Sequence, residues 1–233
     1  MYYSIEESHN IIFDNLNKNK HFSLIRFGEG EIRILSKRKH DNKFECVGRT
    51  KEWCVNEIED NWFFQDLMNT FLYENKSYFK FVQDQGFHQN LNYVKNTFEN
   101  KKIHTITSFY KTFLHFYKNF LLYFNNYESI NFICNKNANL KNINLNIKNV
   151  WNKFDTFNSW KQTEYINNVV QEISKFNNSI FIFTTGFSTK LMIYKLHNLN
   201  TNNIYLDCGS IFDKIIYNKK TRSGHIVDHE FIR

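Results

Sequence analysis

The sequence predicts an α/β fold: a mostly parallel sheet flanked by helices. Three observations carry this. Strand-like and helix-like segments alternate through the second half of the chain, the order that builds βαβ units. "FSLIRF", "SINFIC", "SIFIFTT" and "NIYLDCG" are short, nearly continuous apolar runs, as strands covered on both faces require. The chain has 233 residues, 42% of them hydrophobic, including 25 Phe, 13 Tyr and 4 Trp, which is ample for a sizeable core. No internal repeat and no Pro-, Gly- or Ser-rich linker interrupts it, so one domain over 1–233 is expected.

The elements follow in order. "YSIEESHNIIFDNLNK" opens on Ser4 and Glu7 at capping-box spacing, then places Ile5, His9, Ile12, Phe13 and Leu16 at helical intervals. "FSLIRF" is a buried strand, and "EIRILSKRK" starts a helix or turn. Residues 53–82 carry aromatics at helical spacing and read as one or two helices. "KIHTITS" is strand-like, and "FYKTFLHFYKNFLLYF" is a helix apolar around most of its circumference. "SINFIC" is a strand, and 135–149 holds a strand or an irregular loop. "SWKQTEYINNVVQEISKF" is an amphipathic helix, "SIFIFTT" a core strand, "STKLMIYKLHNL" a helix, "NIYLDCG" a strand and "SIFDKIIYN" a short final helix.

Net charge is +7 and the pI about 9.1, which favours anionic partners without choosing among them. Abundant Asn and Lys with no Pro reflect codon bias before structure, and they blur Asn-based turn signals. Cys46, Cys54, Cys134 and Cys208 form no C-x-x-C pair, which argues against a zinc ribbon or redox motif. No apolar run approaches the ~20 residues of a membrane span. With no signal peptide in the sequence, a cytoplasmic protein is expected.

In such sheets, ligands sit outside the carboxyl ends of the strands. "GEGE", "TTGFST" and "DCGS" therefore fall on one rim. If the backbone after "FSLIRF" stays extended, Glu29 and Glu31 point to the same side and repel unless a cation lies between them. A hard cation, Mg²⁺ or Mn²⁺, suits that pair; a solvated acidic turn is the competing reading. Gly28 and Gly30 let a ligand approach the backbone closely. Arg26 lies inside an apolar strand, so its charge needs a carboxylate or a phosphate. Gly186, with Ser188 or Thr189, forms either an anion-binding helix start or an ordinary capped connection. Asp207 and Gly209 end a strand, and Asp207 either meets a sugar hydroxyl or caps the next helix. Lys219, Lys220, Arg222, His225 and His229 are either a basic tail closing over a diphosphate or a solvated terminus.

Taken together, "SLIRFGEGEIRIL" resembles the R-F-G-D-G-E segment of the GT-D type glycosyltransferases, bacterial enzymes that pass a sugar from a nucleotide donor to a growing glycan. "FNSWKQTEYI" (157–166) resembles that family's Asn-bearing helix opening. "IFIFTTGFSTKLMIYKLHNLNTNNIYLDCGSIFD" (180–213) resembles its strand–Gly–helix–strand–Asp-x-Gly stretch. The resemblance implies a Rossmann-like fold and a hexosyltransferase of polysaccharide biosynthesis. It also implies a nucleoside diphosphate sugar donor, with UDP favoured, and a glycan or glycoconjugate acceptor. Residue by residue, Arg26, Gly28, Glu29, Gly30 and Glu31 take the first motif's places, and Asn158 takes the Asn. Gly186 and Thr189 fall in the glycine turn, and Asp207 and Gly209 match Asp-x-Gly. Glu29 and Glu31 would then serve the donor diphosphate and a Mn²⁺ or Mg²⁺ ion, with Lys220, Arg222 and His225 as further donor contacts. Glu29 stands where the family has Asp, and Cys208 and Ser210 also depart from its pattern. A non-catalytic nucleic-acid binder or a degenerate nucleotide-sugar-binding module is the alternative; no nucleic-acid partner is expected, because the aromatics fall at buried spacing.

Overall fold

The central strands form where the sequence is continuously apolar, because a strand covered on both faces has no polar side to show. The computed structural model describes residues 2–3, 5–35, 55, 59–83, 103–106, 123, 126–143, 145–155, 158–209 and 212–217, and elements are numbered within these. The first half holds β1 (Tyr2–Tyr3), α1 (Ile5–Asn17), β2 (Ser23–Phe27), α2 (Glu29–Leu35), α3 (Asn61–Leu72), β3 (Tyr78–Gln83) and β4 (Ile103–Ile106). The second holds β5 (Ser129–Asn135), β6 (Ile147–Phe154), α4 (Thr163–Ile173), β7 (Ser179–Phe183), α5 (Phe187–Leu199), β8 (Ile204–Asp207) and α6 (Asp213–Tyr217). Single 3-10 turns lie at Leu140–Asn142 and Ser159–Lys161.

The strands form one eight-stranded sheet in the order β1-β4-β3-β2-β8-β7-β5-β6. Every pairing among them is parallel, so the predicted α/β architecture is what the chain adopts. From β2 the chain builds outward through β3 to β4. The later strands fill the other side and bring β8 back against β2, with Ser23 beside Tyr205 and Leu24 beside Leu206.

The two-residue period of a strand sorts side chains into two cores. Ile25, Phe27, Phe181, Phe183 and Tyr205 pack on one face with Phe63, Phe71, Val170, Leu191 and Met192 of α3, α4 and α5. Leu24, Phe81, Phe132, Ile182 and Leu206 pack on the other with Ile12 and Leu16 of α1 and Ile216 of α6.

Two expectations change. Residues 53–82 are not all helical: α3 ends at Leu72, and 78–83 form β3, paired along β2 from Ser23–Tyr78 to Phe27–Val82. Tyr78, Phe79, Phe81 and Val82 are all buried, on both faces, a pattern that a helix period imitates over six residues. Lys80, on the same strand, is only 2% exposed. Its ammonium donates to the carbonyls of Phe71 and Tyr73, both at 2.9 Å, capping the end of α3 from the neighbouring strand. The second change is β6, which runs on to Phe154, where 135–149 left a strand or loop open. Of the apolar helix expected at 109–124, only Tyr123 lies within the described residues, and Ser4 lies outside them.

At the amino ends of the central strands, His197 of α5 is buried. Its Nδ1 lies 2.8 Å from the Ser23 hydroxyl, and its ring packs against Tyr73 and Tyr78. Burial pushes its pKa down to about 4.

Lys80→Met leaves two helix-end carbonyls without their donor, and should lower unfolding stability by about 1–3 kcal/mol in urea titrations. The depressed His197 pKa also predicts a pH dependence. Above the ordinary value of 6.5 the imidazole is neutral in both states and contributes nothing; as pH falls from 6.5 towards 4, the unfolded chain takes up the proton first. Stability should therefore drop across that window, and His197→Gln should flatten the drop in denaturation curves at stepped pH.

Candidate functional site

Three strand ends, each followed by a glycine-bearing turn, close around one lysine. Along β8, Tyr205 packs in the α5-side core, so period two places Asp207 on that side as well. α5 starts directly after Gly186, and Lys190 sits one turn in, 1% exposed. Its Nζ lies 2.8 Å from Glu31 Oε1 and 2.9 Å from Asp207 Oδ2. It also donates a long bond of 3.4 Å to the Gly186 carbonyl. Glu31 and Asp207 are 5% and 0% exposed, so the two ion pairs are out of water.

The "GEGE" stretch is helical from Glu29 onward, not extended. Positions two apart then lie about 200° around the axis instead of on one face, so the premise that set Glu29 beside Glu31 fails. Gly28 acts as the N-cap. Its carbonyl accepts from the Ile32 N–H at 3.2 Å, and its own N–H donates to Glu31 Oε2 at 2.9 Å. A Glu at the third helical position reaching back to the cap N–H is one half of a capping box. Glu31 thus closes the first turn of α2 with one oxygen and grips Lys190 with the other. Burial works to raise its pKa, but the Lys190 and Arg26 charges outweigh that and hold the carboxyl below its ordinary value.

Arg26 is buried near the end of β2. Its backbone N–H donates to Asp207 Oδ2 at 3.1 Å. Its guanidinium lies against Gly209, where a Cβ would come within 2.3 Å of Nη2. Gly209 has φ +50°, and its N–H donates to Asp207 Oδ1 at 3.1 Å. Arg26, Gly28, Glu31, Gly186, Asp207 and Gly209, anticipated as one rim, are therefore brought together in space. Burial and the Asp207 charge push the thiol of neighbouring Cys208 well above its ordinary range, the Arg26 charge opposing them.

Thr189 lies buried in the first turn of α5, and Asn158 lies exposed. Thr189 Oγ1 accepts the Thr185 N–H at 3.3 Å and lies 3.0 Å from the Thr185 hydroxyl. Asn158 is left-handed, with φ 56°, and precedes the 3-10 turn. Ser159 ties that turn to the rim, donating to the Thr185 carbonyl at 2.7 Å and lying 3.0 Å from the Ser188 hydroxyl. Trp160 then stacks on Phe63 at 4.5 Å. Gly30 holds the second position of α2 and Glu29 the first, Glu29's side chain lying outside the described set. Lys219, Lys220, Arg222, His225 and His229 also lie outside the described residues.

The residue that the sequence reading missed is Lys190. The signal was present: it occupies a stripe position with Phe187, Leu191 and Tyr194, where an apolar side chain is due. A lysine there either reaches solvent along its stem or carries a buried partner, and only the packing of α5 decides which.

Glu31 and Asp207 do not fit a divalent cation between them, because the Lys190 ammonium holds that position. Both oxygens of Glu31 and both of Asp207 already accept from Lys190 or from backbone N–H groups. No group of three or more His, Cys, Asp or Glu among the described residues is placed to hold a metal. No helix among them is long and apolar enough to cross a membrane.

Gly209→Ala puts alanine at a left-handed φ and a methyl group into the Arg26 guanidinium. It should cost at least the ~1–2 kcal/mol of left-handed alanine, read as a lowered Tm.

No family model matches the chain, and no protein of curated function matches its sequence. Solved structures do share its fold. A domain of unknown function 1792, reported to have a distinct glycosyltransferase fold, superposes with a TM-score of 0.57 at 12% identity, over 99% of this chain and 88% of that one. A selenomethionine-substituted structure of the same domain gives the same figures. A structure from Streptococcus sanguinis, reported as a new glycosyltransferase of this domain type, gives a TM-score of 0.59 at 14% identity, over 90% of this chain and 81% of that one. The likeness is one of fold.

Proposed function

We propose that the chain is a glycosyltransferase. It moves a sugar from a nucleoside diphosphate donor, with a UDP-sugar favoured, to a glycan or glycoconjugate acceptor. The observation that carries this is the convergence of the Gly28–Glu31 turn, the Gly186 turn and Asp207–Gly209 on Lys190, at the carboxyl ends of adjacent parallel strands. The shared fold of the glycosyltransferase-type structures supports the same reading.

Transfer breaks the bond between the anomeric carbon and the β-phosphate oxygen and leaves charge on the diphosphate. The start of α5 offers backbone N–H groups and the positive end of a helix dipole to that charge. Gly186, at φ 65° and ψ −129°, takes a backbone shape that favours glycine and keeps the approach to that helix start free of a side chain. Lys219, Lys220 and Arg222 would clamp the diphosphate from the C-terminal segment, with His225 as a further donor contact.

The two motif glutamates divide the work. Glu31 is ionised, buried and engaged at both oxygens, so it positions Lys190 and closes the α2 turn instead of taking a proton. Glu29, at the first position of α2, keeps its place on the donor side, at the diphosphate of the sugar nucleotide or its metal ion.

Glu29→Gln should lower kcat for sugar transfer, measured with a UDP-sugar donor. Glu31→Gln should lower both activity and Tm, because it weakens a buried ion pair and the cap together. A thermal-shift screen of nucleoside diphosphate sugars identifies the donor by its stabilisation of the folded chain. Wild-type rates of transfer and donor hydrolysis in Glu29→Gln would overturn its place at the donor; no shift and no hydrolysis with any sugar nucleotide would overturn the activity.

A further inference from the structure

We infer that Lys190 is a built-in counter-cation, which takes the place between Glu31 and Asp207 that a divalent ion would otherwise fill, so that these two carboxylates bind no metal. The inference rests on the transferase reading of this rim and deepens it, because it takes Glu31, one of the two glutamates expected at a metal ion, out of that role.

The geometry is specific. One ammonium lies 2.8 Å from Glu31 and 2.9 Å from Asp207, on oxygens of two segments far apart in sequence. The two remaining oxygens accept the N–H groups of Gly28 and Gly209. Mg²⁺ and Mn²⁺ would have to draw lone pairs from both carboxylates at once, and the position from which one cation reaches Glu31 Oε1 and Asp207 Oδ2 together is held by the Lys190 ammonium. The charges are matched as well. Two buried carboxylates face the Lys190 ammonium, and the Arg26 charge acts with it to lower the pKa of Glu31. Adding a doubly charged ion to a balanced, buried set leaves two positive charges uncompensated out of water. Nor does the ammonium have an easy exit: its side chain is 1% exposed, on the first turns of a helix whose Phe187, Leu191 and Met192 are fixed in the core.

Mn²⁺ alone, titrated against the full chain and followed by the electron paramagnetic resonance of the free ion, tests this without any donor present. The expected result is that the wild-type protein shows no Mn²⁺ site weakened by Glu31→Gln or by Asp207→Asn. Lys190→Ala, which vacates the position and leaves two carboxylates facing it, should gain Mn²⁺ affinity by about tenfold or more, and the double variant Lys190→Ala/Asp207→Asn should lose that gain. A wild-type site whose affinity falls about tenfold in either carboxylate variant would overturn the inference, as would a folded Lys190→Ala that gains nothing. Should Lys190→Ala not fold, the wild-type and single carboxylate titrations still decide it. A wild-type site indifferent to both carboxylate changes lies elsewhere and supports the inference. The titration is independent of the donor screen: failure of every sugar nucleotide to bind defeats the transferase reading and leaves the Mn²⁺ result standing on its own.

Discussion

A lysine ammonium held out of water between two carboxylates is the constraint around which the rim is arranged. Desolvating three charges is unfavourable unless each finds its partner at hydrogen-bonding distance. That condition fixes three things at once: the first turn of α2, the end of β8 and the first turn of α5. Moving any one of them by an ångström or two would strand a buried charge. The sheet makes the meeting possible, since β8 lies between β2 and β7 and its last residue pairs with Phe183.

The three glycines of the rim serve different ends. Gly28 is a buried N-cap, whose N–H is answered by Glu31. Gly186 takes a backbone shape that favours glycine. Gly209 combines positive φ with contact against a guanidinium, so two separate reasons forbid a side chain there. Elsewhere the chain, with only 7 Gly and no Pro, gives left-handed positions to asparagine at Asn19, Asn158 and Asn178. Other asparagines satisfy buried polar groups. Asn131 donates to Ser129 and to the Ile180 carbonyl and accepts from Asn149, which ties β5 to both of its neighbours. Whatever codon bias made asparagine common, the fold has put it to structural use.

The sequence showed most clearly the elements whose pattern had one interpretation. β5, β7 and β8 are short and continuously apolar, and they appear where that pattern puts them. β3 was hidden because Tyr78, Phe79, Phe81 and Val82 satisfy a helical period as well as a two-faced strand, and six residues cannot separate the two. The importance of "GEGE" was visible from acids and an arginine next to a buried strand, but its shape was not. An extended turn and an immediate helix start share that composition; what selects the helix is the Glu31 bond back to the Gly28 N–H. Lys190 was passed over because a lysine near a helix start ordinarily reaches solvent, and its burial depends on which face of α5 meets the sheet.

By itself, then, the sequence determined the α/β class, the parallel central strands and the three glycine-bearing strand-end turns, because hydrophobic period and glycine placement are local properties. Only the tertiary structure decided which charges face one another. Arg26 and Asp207 are 181 residues apart, and their bond exists because parallel pairing brings β8 beside β2. The partnership of Lys190 with Glu31 and Asp207 has the same origin: no local pattern encodes it, since burial of a charge is settled by what the rest of the chain places against it.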